Sequence, residues 1–480
     1  MYEFPIGGDL TVLQTTHDND ETRRSARIDT TGEIRLRRLN QSYEHGNRPH
    51  FTVDMHVSDP SLEIVRTWDE TSRVLKISTP KYAQLEAPGP HCISLEITAW
   101  IPEGATFQDL SLGSISLNTR IIDDTNVTIS GEAKIATIEG DIWFPLLEDF
   151  ALLPADKVAR SYLPVVMDGS DTYTQDLLLG LSSPDPKHPF ASRRTLVETV
   201  TGEINGVYPL LDFLGLSSQS GSINAGVLPQ KVLPDAPAPA DLEVQTASGS
   251  IQISVPVASD SNPDYIIPPR NYITNVHSNS GAIRGFFYLG SLGSFKSTTG
   301  SLKLRTLPII PSDDSGKVTF PCRFETHTVS GSTEIEVLDP IFISRISSLE
   351  KTTGATAPTP YPYDPVGDHQ PYLTIPPVRA LYKHSDTSSV SKLRTLQSKH
   401  SSNSASVSVM YPSGWEGTVH AKTVSGDITV TGSGVRTIRE RKGWAYKEIL
   451  ARKGTEHPGQ GSLTEMSDIA GDLRFTVGNV

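Results

Sequence analysis

The sequence predicts an all-β chain folded as a parallel β-solenoid, with irregular rungs of 19 to 32 residues. Three observations carry that expectation. One phrase recurs between residues 196 and 338, as TVTGEINGVY, SQSGSINAGV, TASGSIQISV, SNSGAIRGFF, STTGSLKLRT and TVSGSTEIEV. Its glycines, Gly202, Gly221, Gly249, Gly281, Gly300 and Gly331, are separated by 19, 28, 32, 19 and 31 residues, a period that suits stacked repeats. The composition agrees, since 37 Gly and 35 Pro beside 36% apolar residues favour short strands and turns over helices.

TASGSIQISVPV shows how one unit works. Ile251, Ile253, Val255 and Val257 alternate with Gln252, Ser254 and Pro256, giving an apolar face and a wet face. Leu242 and Val244 form an earlier alternating arm, and Ser248-Gly249-Ser250 joins the two at a corner where glycine can take positive φ. Such a unit has no second layer of its own, so it buries its apolar face by stacking on the next. An antiparallel β-sandwich is the alternative, although it calls for hairpins with Asn-Gly or Asp-Gly turns.

Taken in order, residues 1–109 read as alternating strands that could begin the stack, with a further TTGEIRL copy at Gly32. The stack proper is expected over 110–345, with early corners at Gly113, Gly131 and Gly140. Residues 146–190 interrupt it, where Pro154 and Pro164 limit any helix. Residues 346–410 are Pro- and Ser-rich and read as an insertion or linker. Residues 411–480 return to the repeat at Gly426 and Gly471 and close the stack. Between those glycines lies a long hairpin or two rungs bearing Arg436, Arg439, Arg441, Lys442, Lys447, Arg452 and Lys453, diluted by Glu440, Glu448 and Glu456. We read that face as a solvated strand surface.

The net charge of −13 argues against a nucleic-acid partner, which needs clustered cations. Two cysteines, Cys92 and Cys322, are too few for a disulfide framework and are expected as buried free thiols, with one bridge between them as the alternative. No apolar run reaches membrane-spanning length, and residues 1–13 lack the pattern of a signal peptide. Asn40 and Asn126 head glycosylation triplets that matter only if the chain is secreted.

Signatures of catalysis are missing: there is no Gly-x-Ser-x-Gly elbow, His-Glu-x-x-His pair, P-loop or Cys-x-x-Cys. No cofactor and no metal are expected. His45, His50 and His56 fall close together without carboxylates at ligand spacing. Asp18, Asn19, Asp20 and Glu21 lack the fixed glycine and distal glutamate of a calcium loop. The position after the corner glycine is acidic at Asp9, Glu33, Asp141, Glu203, Asp427 and Asp472, which in register would form a carboxylate ladder. Ser222, Ser250, Ala282, Ser301 and Ser332 break that ladder in the middle, so turn chemistry accounts for it.

Read with YPLLDFLGLSSQSGSINAGVLP, PAPADLEVQTASGSIQISVP and ETHTVSGSTEIEVL, the corner units resemble the putative-adhesin domain of unknown function, a Ser-Gly-Ser-Ile repeat family, and most closely its fungal members. The resemblance covers roughly residues 110–338 and, less fully, 422–480. It implies a parallel β-solenoid with a non-enzymatic, cell-surface or envelope-associated role, and it supplies no catalytic residues. Fungal members often carry a membrane helix before the β region, so membrane association is expected only through a segment this sequence does not include. The function expected is therefore adhesive or structural, binding a protein or carbohydrate through polar strand faces and loops. A β-helix enzyme acting on polysaccharide, and an intracellular, cytoplasmic scaffold, are the alternatives.

Overall fold

The computed structural model describes residues 1–17, 26–39, 48–83, 91–145, 188–233, 236–256, 267–312, 321–345, 380–382, 392–443, 446–454 and 461–478. Among them there is no helix. The strands form an 18-stranded and a 17-stranded sheet, both mostly parallel.

The chain alternates between the two sheets. Phe213–Ser218, Ala240–Thr246, Tyr272–Ser278 and Leu292–Ser297 lie in the 17-stranded sheet, and each is followed across a corner by its partner in the 18-stranded sheet, Ile223–Pro229, Ile251–Ser254, Ile283–Leu289 and Leu302–Ser312. The period-2 pattern sets which side chains turn inward. Ile204, Ile223, Ile251, Ile283 and Leu302 fall opposite one another in successive strands. Val197, Leu216, Val244, Val276 and Phe295 do the same in the other sheet. All ten are buried, and each contributes about 1.5–3 kcal/mol of hydrophobic stabilisation. Phe287, Phe295, Phe324 and His400 continue the core as edge-to-face rings.

The order of layers departs from the order of the chain at both ends. Leu10–His17 lies between Val74–Pro80 and Leu110–Ser114, and Ala26–Arg38 lies between His91–Ile101 and Asn118–Ile121. At the other end Ser462–Asp468 lies between Leu396–Ser402 and Gly417–Thr423, and Leu473–Val477 between Val407–Tyr411 and Ile428–Gly432. The first and last layers of the chain are therefore each one position in from the end of the stack. Antiparallel strands then cover the ends: His50–Val57 and Val65–Asp69 on one side, Lys447–Lys453 and Arg436–Lys442 on the other.

A buried polar cluster marks the inserted C-terminal layer. Ser398 Oγ meets Tyr411 Oη at 2.6 Å and Thr464 Oγ1 at 3.1 Å, while His400 Nδ1 meets Thr326 Oγ1 at 2.9 Å. Burial pushes the His400 imidazole down to about 3, so the ring stays neutral.

Several expectations change. Gly113 and Gly131 are not corners. Gly113 sits within Leu110–Ser114, opposite Leu13 and Ala136. Gly131 sits at a register shift in Val127–Thr137, where its N–H donates to Gln108 O at 2.8 Å. The corner of the first of these units falls at Leu117, whose carbonyl accepts from Ser114 Oγ at 2.6 Å. The Ser-rich stretch contains two full strands, Leu396–Ser402 and Val407–Tyr411, with Ala405 where other units carry glycine. Cys92 is exposed and only Cys322 is buried, both as free thiols, because Cys92 points outward from an alternating strand. Residues 18–21, Asn40, His45 and 146–187 lie outside the described residues, as does most of 346–391.

Candidate binding surface

The corner is the unit from which the surface is built. A Cβ on Gly221, Gly249, Gly281, Gly300 or Gly331 would fall 1.7 to 2.0 Å from the carbonyl oxygen of the previous corner glycine. These glycines are required by close backbone approach and not, as the sequence suggests, by positive φ; among the corners from Gly140 to Gly331 none has φ in the left-handed range. Gly140 and Gly202 join the same column, and Gly426 and Gly471 continue it at the far end.

Three residues before each corner glycine from Gly140 to Gly331 stands a buried hydroxyl. Gly221 N donates to Ser218 Oγ at 2.8 Å, Gly249 N to Thr246 Oγ1 at 3.1 Å, Gly281 N to Ser278 Oγ at 2.9 Å and Gly300 N to Ser297 Oγ at 3.0 Å. The same hydroxyls reach the neighbouring layer, Thr246 Oγ1 donating to Gly221 O at 3.4 Å and Ser297 Oγ to Gly281 O at 3.4 Å. Each hydroxyl therefore satisfies one corner N–H, and those of Ser218, Thr246 and Ser297 also tie two layers together. The first Thr or Ser of the recurring phrase, such as Thr246 in TASGSIQISV, is the mark of this hydroxyl in the sequence.

The corner aims the next residue outward. Glu33, Asp141, Glu203, Asp472 and Asp427 do occupy one row with the serines, as backbone pairing at the corners shows; Asp9 does not, because it precedes a strand of the other sheet. The acids stand at the two ends of the row and Ser222, Ser250, Ser301 and Ser332 in its middle. Asp141 Oδ1 accepts from Glu203 N at 2.7 Å and Asp472 Oδ1 from Asp427 N at 2.8 Å, so these carboxylates cap backbone amides. The ion pair and hydrogen bond from Lys447 hold Asp427 below the usual carboxylate range.

Two residues further on, a second outward row runs Arg120, Trp143, Asn205, Asn224, Gln252, Arg284 and Lys303 in register. Trp143, Asn205 and Asn224 are half-buried, whereas Gln252, Arg284 and Lys303 are exposed. Asn224 Oδ1 is buried without a hydrogen-bond partner among the described residues. Beyond this row the sheet is covered, since Val207, Tyr208, Val227, Phe287 and Leu289 are all buried. The two rows thus form a polar strip bordered by the corner on one side and by covered sheet on the other.

Other expected positions do not join this strip. Asn126 is exposed in a turn before Val127–Thr137. His50 is buried, with Nδ1 at 2.9 Å from Arg48 O, while His56 is exposed. Among the described residues no three His, Cys, Asp or Glu side chains could hold a metal ion.

No protein-family model and no curated protein match this chain. Among solved structures it aligns with one described as a "putative cell adhesion protein" from Clostridium sporogenes, over 97% of this chain and 92% of that one. The identity is 6% and the TM-score 0.12, values too small for the likeness to carry an argument.

Proposed function

We propose that the two sheets are the faces of one flattened parallel β-solenoid, and that the protein is a non-catalytic, adhesin-like binding module at a cell surface or envelope. The observation that carries this reading is the strip of Trp143 beside Asn205, Asn224 and Gln252, one side chain per layer, with an unsatisfied amide oxygen at its centre. Parallel strands repeat at about 4.8 Å, so the row offers evenly spaced donors and acceptors next to an aromatic face. Such a row suits an extended carbohydrate, whose hydroxyls exchange hydrogen bonds with amides while its ring C–H faces lie on indole.

A glycan array probed with the full chain tests the reading. We expect binding to one class of glycan, weakened at least about tenfold, or about 1.4 kcal/mol, by Trp143→Ala and by Asn224→Ala. Binding unchanged in both variants would remove the strip as the site. A second reading, a polysaccharide-cleaving enzyme, draws on Asp141 and Glu203 standing next to Trp143 in the adjoining row. Product release from a bound glycan, lost in Glu203→Gln, would favour it.

A further inference from the structure

The two ends of the stack differ in charge. Residues 50–73, which cover the N-terminal end, hold five carboxylates against two cations, Arg66 and Arg73. Residues 434–453, which cover the C-terminal end, hold seven cations against two carboxylates. Asp54, Glu63 and Glu70 at the first end are exposed and make no ion pair among the described residues. Arg436, Arg441 and Lys442 at the second are likewise exposed and make none.

The basic end also sets like charges against one another, with the Lys447–Asp427 ion pair offsetting part of the cost. Within its hairpin Arg436 stands opposite Arg452, and Lys442 opposite Lys447, and like charges directly opposite one another destabilise a strand pair. Beside it Ile428–Gly432 has, among the described residues, a strand partner on one side only, Leu473–Val477. That strand, ITVTG, bears none of the charges that usually blunt a free edge.

We propose that the protein associates head to tail, the basic C-terminal end of one copy docking against the acidic N-terminal end of the next. Each sheet ends at both of these surfaces, so Ile428–Gly432 would meet His50–Val57 along the part of its edge beyond His50 and Phe51, which pair with Tyr2–Glu3, and Arg436–Lys442 would meet Val65–Asp69. The contact is heterologous: it uses two different surfaces and leaves one of each free, so assembly is open-ended and does not stop at a dimer. It follows from the strand pairings and charges and does not depend on what the polar strip binds.

Sedimentation of the full 52.2 kDa chain over a concentration series tests this, at about 0.02 M and about 0.5 M salt, where charges are screened beyond about 20 Å and about 4 Å. We expect the mass to grow past that of a dimer at low salt and to fall to a monomer at high salt. The triple variant Arg436→Glu, Arg441→Glu, Lys442→Glu should remain monomeric alone. So should the triple variant Asp54→Lys, Glu63→Lys, Glu70→Lys, and mixing the two should restore growth. A wild-type monomer at every salt and concentration would overturn the proposal, and so would a mass that stops at the dimer. If each variant melts like wild type yet the mixture stays monomeric, the pairing of the two ends is wrong. Capture of anionic vesicles by wild-type monomers that do not self-associate would assign the basic end to a foreign anionic partner instead. Glycan binding by a monomeric variant keeps this test separate from that of the strip.

Discussion

The corners in the middle of the stack and those at its C-terminal end solve the same problem differently. From Gly202 to Gly331 every corner has glycine against the carbonyl of the layer before it, and from Gly202 to Gly300 a Ser or Thr hydroxyl three residues earlier accepts the glycine N–H. At the far end the column runs from Gly331 through Ala405 and Gly471 to Gly426, out of chain order, and Asp468 stands where the hydroxyl should be. Middle layers are covered on both sides, so a wrong side chain there has nowhere to move. Ala405 and Asp468 also stand in layers paired on both sides, so their neighbours accommodate the exceptions, and the outermost parallel strand, Ile428–Gly432, is the one with a free side among the described residues. Position in the stack, more than local sequence, should therefore decide how much a substitution costs.

The sharpest form of that contrast compares residues in one row. Ile251→Asp buries an unpaired carboxylate and should cost about 4 kcal/mol or more, whereas Ile428→Asp at the half-buried end strand should cost less than about 1.5 kcal/mol. Urea denaturation of both variants reads the difference, and equal costs would break the comparison. Gly249→Val should cost about 3 kcal/mol, because its side chain must displace the Gly221 carbonyl. Ala405→Gly, by contrast, should change stability by less than about 1 kcal/mol in the same assay. Thr246→Val keeps the shape but leaves the Gly249 N–H buried without an acceptor, which should cost about 2 kcal/mol in thermal melts.

The smallest effect has the opposite sign. Burial raises the Asp468 carboxyl above its ordinary range, with Asp472 adding to the effect, and its Oδ2 is buried without a partner among the described residues. The folded state then holds the proton more tightly than the unfolded chain, so this group's contribution is intact below the unfolded value of about 3.9 and is lost as pH rises through the folded one. Asp468→Ser, which restores the hydroxyl of the other corners, should raise Tm at neutral pH. The gain should shrink towards zero below about pH 4. A gain that stays constant from acid to neutral pH would show that the charge is not its cause.

What could be read from the chain follows the same division. Glycine spacing and period-2 alternation gave the strands, the buried Ile and Val rows and the outward serines, because each depends on residues within one unit. Gly113 and Gly131 misled because glycine is also useful within a strand and at a register shift. The layer around Ala405 is not marked in the sequence, because alanine replaces the corner glycine there. Parallel layers at the two ends exchange places through pairings between residues 60 or more apart, such as Arg35 with Thr98 and Gln397 with Leu463, and local pattern holds no record of them. The polar strip was only partly visible: its serines recur at the corner, but Trp143 and Asn224 become neighbours of one row only when register is known.

Cross-linking of exposed corner residues tests the central claim, that the corners stand in register and in this order. Residues Ser404, Ala470 and Ser425 precede Ala405, Gly471 and Gly426, and their backbone N–H groups pair from layer to layer through Val329, Asn403 and Ile469. Adjacent strands bring Cα atoms within disulfide range, and strands two layers apart do not. In a Cys92→Ser background, Ala470→Cys should therefore form a disulfide with Ser404→Cys, and in a second variant with Ser425→Cys, whereas Ser404→Cys with Ser425→Cys should remain reduced. A disulfide between the last pair, with none to position 470, would contradict the account.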